Sequence, residues 1–301
     1  MNEVATADQS EIQRFKIVVN EYVQLMKPGI LTLLLVTTLG AMLIAGNGIP
    51  SFGLVLITIL GGTLTAGGAN VFNCYIDRDI DAKMNRTKQR ATASGRMKPR
   101  TALIFGITIT LAGVLMLGFF ANWLAAGLAL IGNLYYVFIY TLWLKRTTPH
   151  NIVVGGAAGA IPPLVGWAAV TGTLAPGAWI LFAIIFYWTP PHFWALALLK
   201  QGEYGRVGVP MLPVVSGEQE TRKQIFLYTV LLTAVTLLLV PFGMSWIYLV
   251  GALALCAYFL FLAWRLLTDP SKELARKTFF YSIWFVAGIF AVMVSDRLIL
   301  G

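Results

Sequence analysis

An asparagine and two aspartates, Asn73, Asp77 and Asp81, stand four residues apart at the end of a long apolar run. Read as α-helix, that spacing puts all three on one face and raises each about 6 Å above the last. One amide and two carboxylates then project toward a common volume, and hard divalent cations take oxygen ligands of this kind. Immediately after come Lys83, Arg86, Lys88, Arg90, Arg96, Lys98 and Arg100. Cations at this density beside a carboxylate ladder suit a polyanion bridged by metal, and a diphosphate is the smallest ligand that uses both. Arg86 and Arg90 repeat the four-residue spacing, which lets two guanidiniums converge on one diphosphate. Asn70 extends the polar line one turn inward, where an unpartnered amide is costly. That cost argues against a merely solvated helix end.

Three further groups of residues bear on the same chemistry. Lys200, Glu203, Tyr204 and Arg206 follow a second long apolar run. At the depth of the ladder, Lys200 would meet the diphosphate and Glu203 a second metal; the same residues also fit a solvated helix end. The chain has two histidines. His192 follows Pro190 and Pro191 inside an apolar run, and the carbonyls that the prolines free give its ring a structural partner. An imidazole roughly 12 Å deep by helical rise also suits an axial ligand for a haem iron. His150 lies at the cytoplasmic start of another run. Aromatics including Tyr135, Tyr136, Tyr140, Phe186, Trp188 and Phe193 crowd the same level, where they serve as core or interfacial belt or as ring faces for a carbocation.

These residues must be positioned by membrane helices. The chain is 58% hydrophobic and 12% charged, with a mean hydropathy of +0.76, outside the range of ordinary soluble domains. Apolar stretches able to cross a hydrocarbon layer of roughly 30 Å fall at about 30–46, 52–75, 102–121, 123–144, 152–170, 178–199, 225–242, 246–266 and 279–296. The reading is an all-α integral membrane protein of nine transmembrane helices. Nine spans leave every lysine and arginine except Arg297 on the side of the N-terminus, so that terminus and the ladder are expected to be cytoplasmic. The net charge of +9 therefore reflects topology and one functional loop, and nucleic acid is not an expected partner. Ile12, Phe15, Val19, Tyr22 and Met26 recur at helical spacing. Residues 1–28 are read as an amphipathic segment on the cytoplasmic face, and 29–301 as a single transmembrane domain. Gly61, Gly62, Gly67, Gly68, Gly155, Gly156 and Gly159 are read mostly as close helix contacts. Cys74 and Cys256 offer no disulfide framework.

The ladder, with Arg-Thr-x2-Arg at 86–90, resembles the UbiA superfamily of intramembrane prenyltransferases across the whole set of spans. Within it, TTPHNIVVGG at 147–156, TPPHFWALA at 189–197 and GVPMLPVV at 208–215 resemble the branch that farnesylates protohaem IX. The resemblance implies that Asn73, Asp77 and Asp81 bind magnesium and farnesyl diphosphate, that Arg86, Arg90 and Lys200 hold the diphosphate, and that His150 and His192 lie near haem B. It implies a multi-pass protein of the cell (inner) membrane, in contact with membrane lipid and feeding a downstream haem A synthase or terminal oxidase. The chain departs from the family pattern twice. A second D-x3-D is reduced to Glu203 with Val207 four residues on, and the proline usual after Arg-Thr-x2-Arg is Ala91.

Two other readings share these features. A UbiA-type enzyme acting on an aromatic or quinone precursor needs the ladder but no iron ligand. A haem or ion transporter could use the polar line as a pathway, but should open polar residues toward both sides, and the outer halves of these runs are nearly featureless.

Overall fold

The computed structural model describes residues 2–46 and 48–300, with side chains from Ile12 onward. Positions 1 and 301, the outer limits of the two expected segments, lie outside the described residues. The described chain is helical, with no strand. Helix α1 (Asn2–Leu25) precedes α2 (Pro28–Ala45), α3 (Phe52–Ile76), a short α4 (Arg78–Asp81) and α5 (Pro99–Phe120). Next come α6 (Trp123–Leu134), which runs on as a π-helix (Tyr135–Leu144), and one turn, α7 (Lys145–Thr147). Then follow α8 (Asn151–Thr171), α9 (Pro176–Arg206), α10 (Leu212–Val215), α11 (Gly217–Leu237), α12 (Trp246–Thr268) and α13 (Lys272–Leu300).

Helix limits follow local chemistry. Pro28, Pro99 and Pro176 occupy first turns, where a missing N–H costs nothing. Ser51 and Asn122 cap α3 and α6 by accepting from Leu54 N and Ala125 N. Eight helices among the described residues are long and apolar enough to span a bilayer, which makes this a multi-pass membrane protein. The stretch expected at 225–242 belongs to α11, which is not among the eight. The first turns of α11 carry Glu218, Glu220, Arg222 and Lys223, and the helix ends at Leu237, inside the expected stretch.

Two helices are central. α8 and α9 bury 61% of their apolar windows, against 28–39% for the other six, which therefore face lipid more broadly. α2, α6 and α9 pack on α8; α11 and α13 pack on α9; α13 also reaches α2. Close approach depends on missing side chains. A Cβ on Gly166 of α8 would stand 2.2 Å from Thr38 O of α2, and one on Gly113 of α5 would stand 2.6 Å from Gly61 O of α3. By contrast Gly159, expected as a packing residue, meets nothing within 4 Å and lines a cavity.

α1 carries Ile12, Phe15 and Val19 exposed. Its end turns inward, with Tyr22 edge-on to Phe105 at 4.7 Å and Leu25 fully packed.

Candidate functional site

The ladder keeps its helical register through a break. α3 ends at Ile76 and α4 starts at Arg78, yet Asp77 N donates to Asn73 O at 2.9 Å and Asp81 N to Asp77 O at 2.7 Å. All three side chains are buried, Asp77 completely. Asn73 Nδ2 donates to Asp77 Oδ2 at 2.8 Å and to Thr141 Oγ1 at 3.1 Å.

Buried carboxylates need counter-charges; three cations supply them, and a fourth bonds the ladder's amide. Lys145 Nζ pairs with Asp77 Oδ2. Arg146 reaches Asp77 Oδ1 at 3.4 Å while forking onto Asp79 at 2.8 and 2.9 Å; its guanidinium holds the Asp79 carboxyl down at about 2. Arg90 Nη1 binds Asp81 Oδ2 at 2.7 Å. Lys27 Nζ donates to Asn73 Oδ1 at 2.5 Å.

Lys27 reaches this position through a strained backbone. At φ 57 it is the one non-glycine residue with positive φ among the described residues, a conformation that costs about 1–3 kcal/mol and recurs at functional sites. The turn between α1 and α2 is clamped to α3, with Asn70 Nδ2 donating to Met26 O at 2.9 Å. Burial pushes the Lys27 amine down to about 8.

Lys145 depends on the π-helix. The cavity-facing residues of its helix are Ala129, Gly132, Asn133, Tyr136, Tyr140 and Lys145. Five residues of α-helix would turn a side chain about 140° away from its starting face. The wider i→i+5 winding returns Lys145 toward the face of Tyr140. Thr141 Oγ1 donates to Tyr136 O, five residues back, at 2.8 Å, and accepts from Asn73, so one hydroxyl joins the π-helix to the ladder.

The loop after α4 folds over the site in turns. Thr87 Oγ1 donates to Asp81 O and Thr92 Oγ1 to Cys74 O, each at 3.0 Å. Ala91 is buried in a cluster with Val71, Cys74 and Met97. Arg96 fastens the loop to α1 by donating to Glu21 at 2.6 Å.

These elements enclose a cavity of about 480 Å³ with two unlike ends. Lys27, Asn73, Asp81, Arg86, Arg90 and Lys145 line the charged end; Trp188, Thr189, His192, Phe193 and Phe279 line part of the apolar body, with Tyr136, Tyr140 and Tyr204 also facing it. Asn70 lines it too. Asp77 lies just behind the wall, under Lys145.

The structure does not bring every expected residue here. Lys200 has non-helical φ −120 and ψ 15, and its amine pairs with Glu203 at 3.2 Å; neither lines the cavity. His150 is exposed at the start of α8. His192 is buried beside the cavity, but its ring bonds Ser282 of α13 rather than a carbonyl freed by the prolines. Conversely, Lys27, Lys145, Arg146 and Thr141 were not singled out from the sequence. Lys27 and Lys145 look like ordinary positive-side lysines at helix ends, and only their places, beside Pro28 and at the end of an aromatic run, distinguish them.

Residues 34–286 match the UbiA prenyltransferase family, and the chain belongs to that family. It is 53% identical over 294 residues to the protoheme IX farnesyltransferase of Gloeobacter violaceus, a match covering 97% of this chain and 96% of that protein. It is 51% identical over 298 residues to the protoheme IX farnesyltransferase of Chloroflexus aurantiacus; 99% of this chain is covered, and the chain spans about half, 51%, of that relative's length. A solved UbiA homolog from Archaeoglobus fulgidus bound to GPP and Mg2+ shares the fold, with a TM-score of 0.71 and 17% identity, over 91% of this chain and 99% of that one.

Proposed function

We propose that this chain transfers the farnesyl group of farnesyl diphosphate to a vinyl group of protohaem IX (haem B), with addition of water, giving haem O and diphosphate. The observation that carries the proposal is a single cavity joining buried carboxylates ringed by cations to an apolar body that contains one imidazole between aromatic rings. An anionic diphosphate suits the first end and an iron macrocycle the second. The two protoheme IX farnesyltransferase relatives support the choice of acceptor.

The donor set fits magnesium. Asn73, Asp77 and Asp81 each offer side-chain oxygen, as a hard cation requires, and the two carboxylates hold enough buried negative charge to gather Arg90, Lys145 and Arg146. The Archaeoglobus homolog's Mg2+ supports the same choice. Glu203 pairs with Lys200 and does not line the cavity. The proposal therefore places the ion at the ladder. Bound there, magnesium would supply neutralisation of charge growing on the departing diphosphate.

The chain's own residues carry the rest. Lys27, Arg86, Arg90 and Lys145 hold the diphosphate as the C–O bond to farnesyl breaks and its electron pair leaves with the oxygen. Tyr136 and Tyr140 present ring faces to the allylic cation. The terminal vinyl carbon bonds to it, the neighbouring carbon takes the positive charge, and a water captures that carbon and releases a proton. Helices α8 and α9 keep bulk water from the apolar body until then. Asn70 holds the Lys27 turn, Tyr204 closes the wall near Arg86, and His192 faces the haem.

In this reading α11 completes a nine-helix bundle, residues 1–28 lie on the cytoplasmic face, and residues 29–301 are one catalytic domain. The active side is cytoplasmic in the cell (inner) membrane, and haem O passes to a haem A synthase or terminal oxidase. Protein in lipid nanodiscs, given haem B, farnesyl diphosphate and magnesium, should convert haem to a more retained species on reverse-phase chromatography. Unchanged haem with prenylation of an added quinone precursor would move the acceptor assignment to that class.

A further inference from the structure

His192 and Ser282, 90 residues apart, meet at 2.7 Å between ring Nδ1 and hydroxyl Oγ. The Ser282 hydroxyl donates its one proton to Phe279 O at 2.6 Å. Toward His192 that oxygen can only accept, so the proton in the shared bond sits on Nδ1, and Nε2 carries a bare lone pair. The rest of the packing locks this arrangement. Trp188 Nε1 donates to Ser282 O at 2.7 Å, fixing the serine from α9 as well. The imidazole is sandwiched between Trp188 at 4.4 Å and Phe279 at 4.8 Å, near-parallel to both, with Phe193 edge-on at 5.1 Å. The ring lines the cavity, and Nε2 makes no hydrogen bond among the described residues.

We infer that Ser282 is a positioning residue that fixes the Nδ1–H tautomer of His192, so that Nε2 is presented to the cavity as the axial ligand of the acceptor's iron. The inference rests on the haem acceptor proposed above and deepens it. A lone pair in an apolar cavity wants an electrophile, and iron held by a neutral imidazole is a recognised pairing. The choice of outer partner matters. A carboxylate on Nδ1 raises the basicity of the metal-binding nitrogen, as suits a resident cofactor. A neutral hydroxyl leaves a weaker ligand, as suits a substrate that must leave after each turnover.

The tautomer is measurable without haem. With two histidines in the chain, ring-15N spectra of histidine-labelled protein in nanodiscs contain two sets of signals, and His150→Gln assigns them. Wild type should show protonated Nδ1 and bare Nε2 at His192, and Ser282→Ala should shift the ring toward the other tautomer. Titration with ferric haem B should then show an imidazole-ligated iron in the optical and electron-spin spectra. His192→Ala should abolish that signature, and Ser282→Ala should weaken haem binding about tenfold. An unchanged tautomer in Ser282→Ala would overturn the positioning role, and an iron spectrum indifferent to His192→Ala would overturn ligation. If wild type farnesylates haem while either failure is seen, the transferase reading survives without this inference; if wild type takes up no haem, both fall.

Discussion

Lys27 and Asn73, 46 residues apart in the chain, are joined by a 2.5 Å hydrogen bond from the lysine amine to the asparagine carbonyl. The bond places a buried cation at the inner rung of the ladder, and burial lowers its pKa from 10.5 to about 8. The unfolded chain then holds the extra proton between about 8 and 10.5, so folding gains as pH rises through that window. Diphosphate binding runs the other way, because the ammonium is lost. The apparent KM for farnesyl diphosphate should rise as pH passes about 8. Lys27→Arg, which stays protonated, should remove that limb, and Lys27→Met should show a high KM at every pH. Steady-state kinetics across pH 6.5–9.5, roughly the span over which a lysine amine near that value titrates, checks all three.

Asp77 is fully buried and receives Lys145, Arg146 and Asn73 together. Asp77→Asn keeps the volume but loses the charge, and should cut kcat about 100-fold or more while the protein remains folded by thermal melting. Restoring turnover with excess magnesium alone would point to a lesser role.

Thr141 bridges the π-helix and the ladder through one hydroxyl. Thr141→Val is nearly isosteric and removes both bonds. It should raise the magnesium concentration needed for half-maximal activity by about tenfold, as losing an outer-shell partner does, and Thr141→Ser should restore it. A purely packing role would make Val harmless and Ser damaging.

Packing between α2 and α8 frames the cavity beside Gly166. A Cβ there would stand 2.2 Å from Thr38 O, and backbone cannot yield as a flexible side chain can. Gly166→Ala should destabilise the protein by about 1–3 kcal/mol, read as a lower melting temperature in detergent.

Sequence alone reached the spans and the ladder because both are local patterns. Eight of the apolar runs coincide with helices, and Asn73, Asp77 and Asp81 keep their four-residue register across the break at Asp77. What it missed arises from geometry that periodicity does not encode. Lys145 faces the cavity only because the helix before it winds as π, and Lys27 only because of one left-handed backbone angle. Lys200 and Glu203 share the ladder's expected depth, but a kink at Lys200 pairs them with each other. The link between His192 and Ser282 spans two helices that no local spacing relates. α11 fell short because the helix ends at Leu237, before the expected apolar stretch does, while its other end is the charged segment ahead of that stretch.

The most direct test of the central claim is the mass of the haem recovered after turnover in 18O-labelled water with magnesium. The account predicts haem heavier by one farnesyl group and one hydroxyl carrying the label. That product should be absent with EDTA, restored by added magnesium and lost in Asp81→Asn. Haem returned at its original mass by folded wild-type protein, with farnesyl diphosphate either intact or consumed by another acceptor, would contradict it.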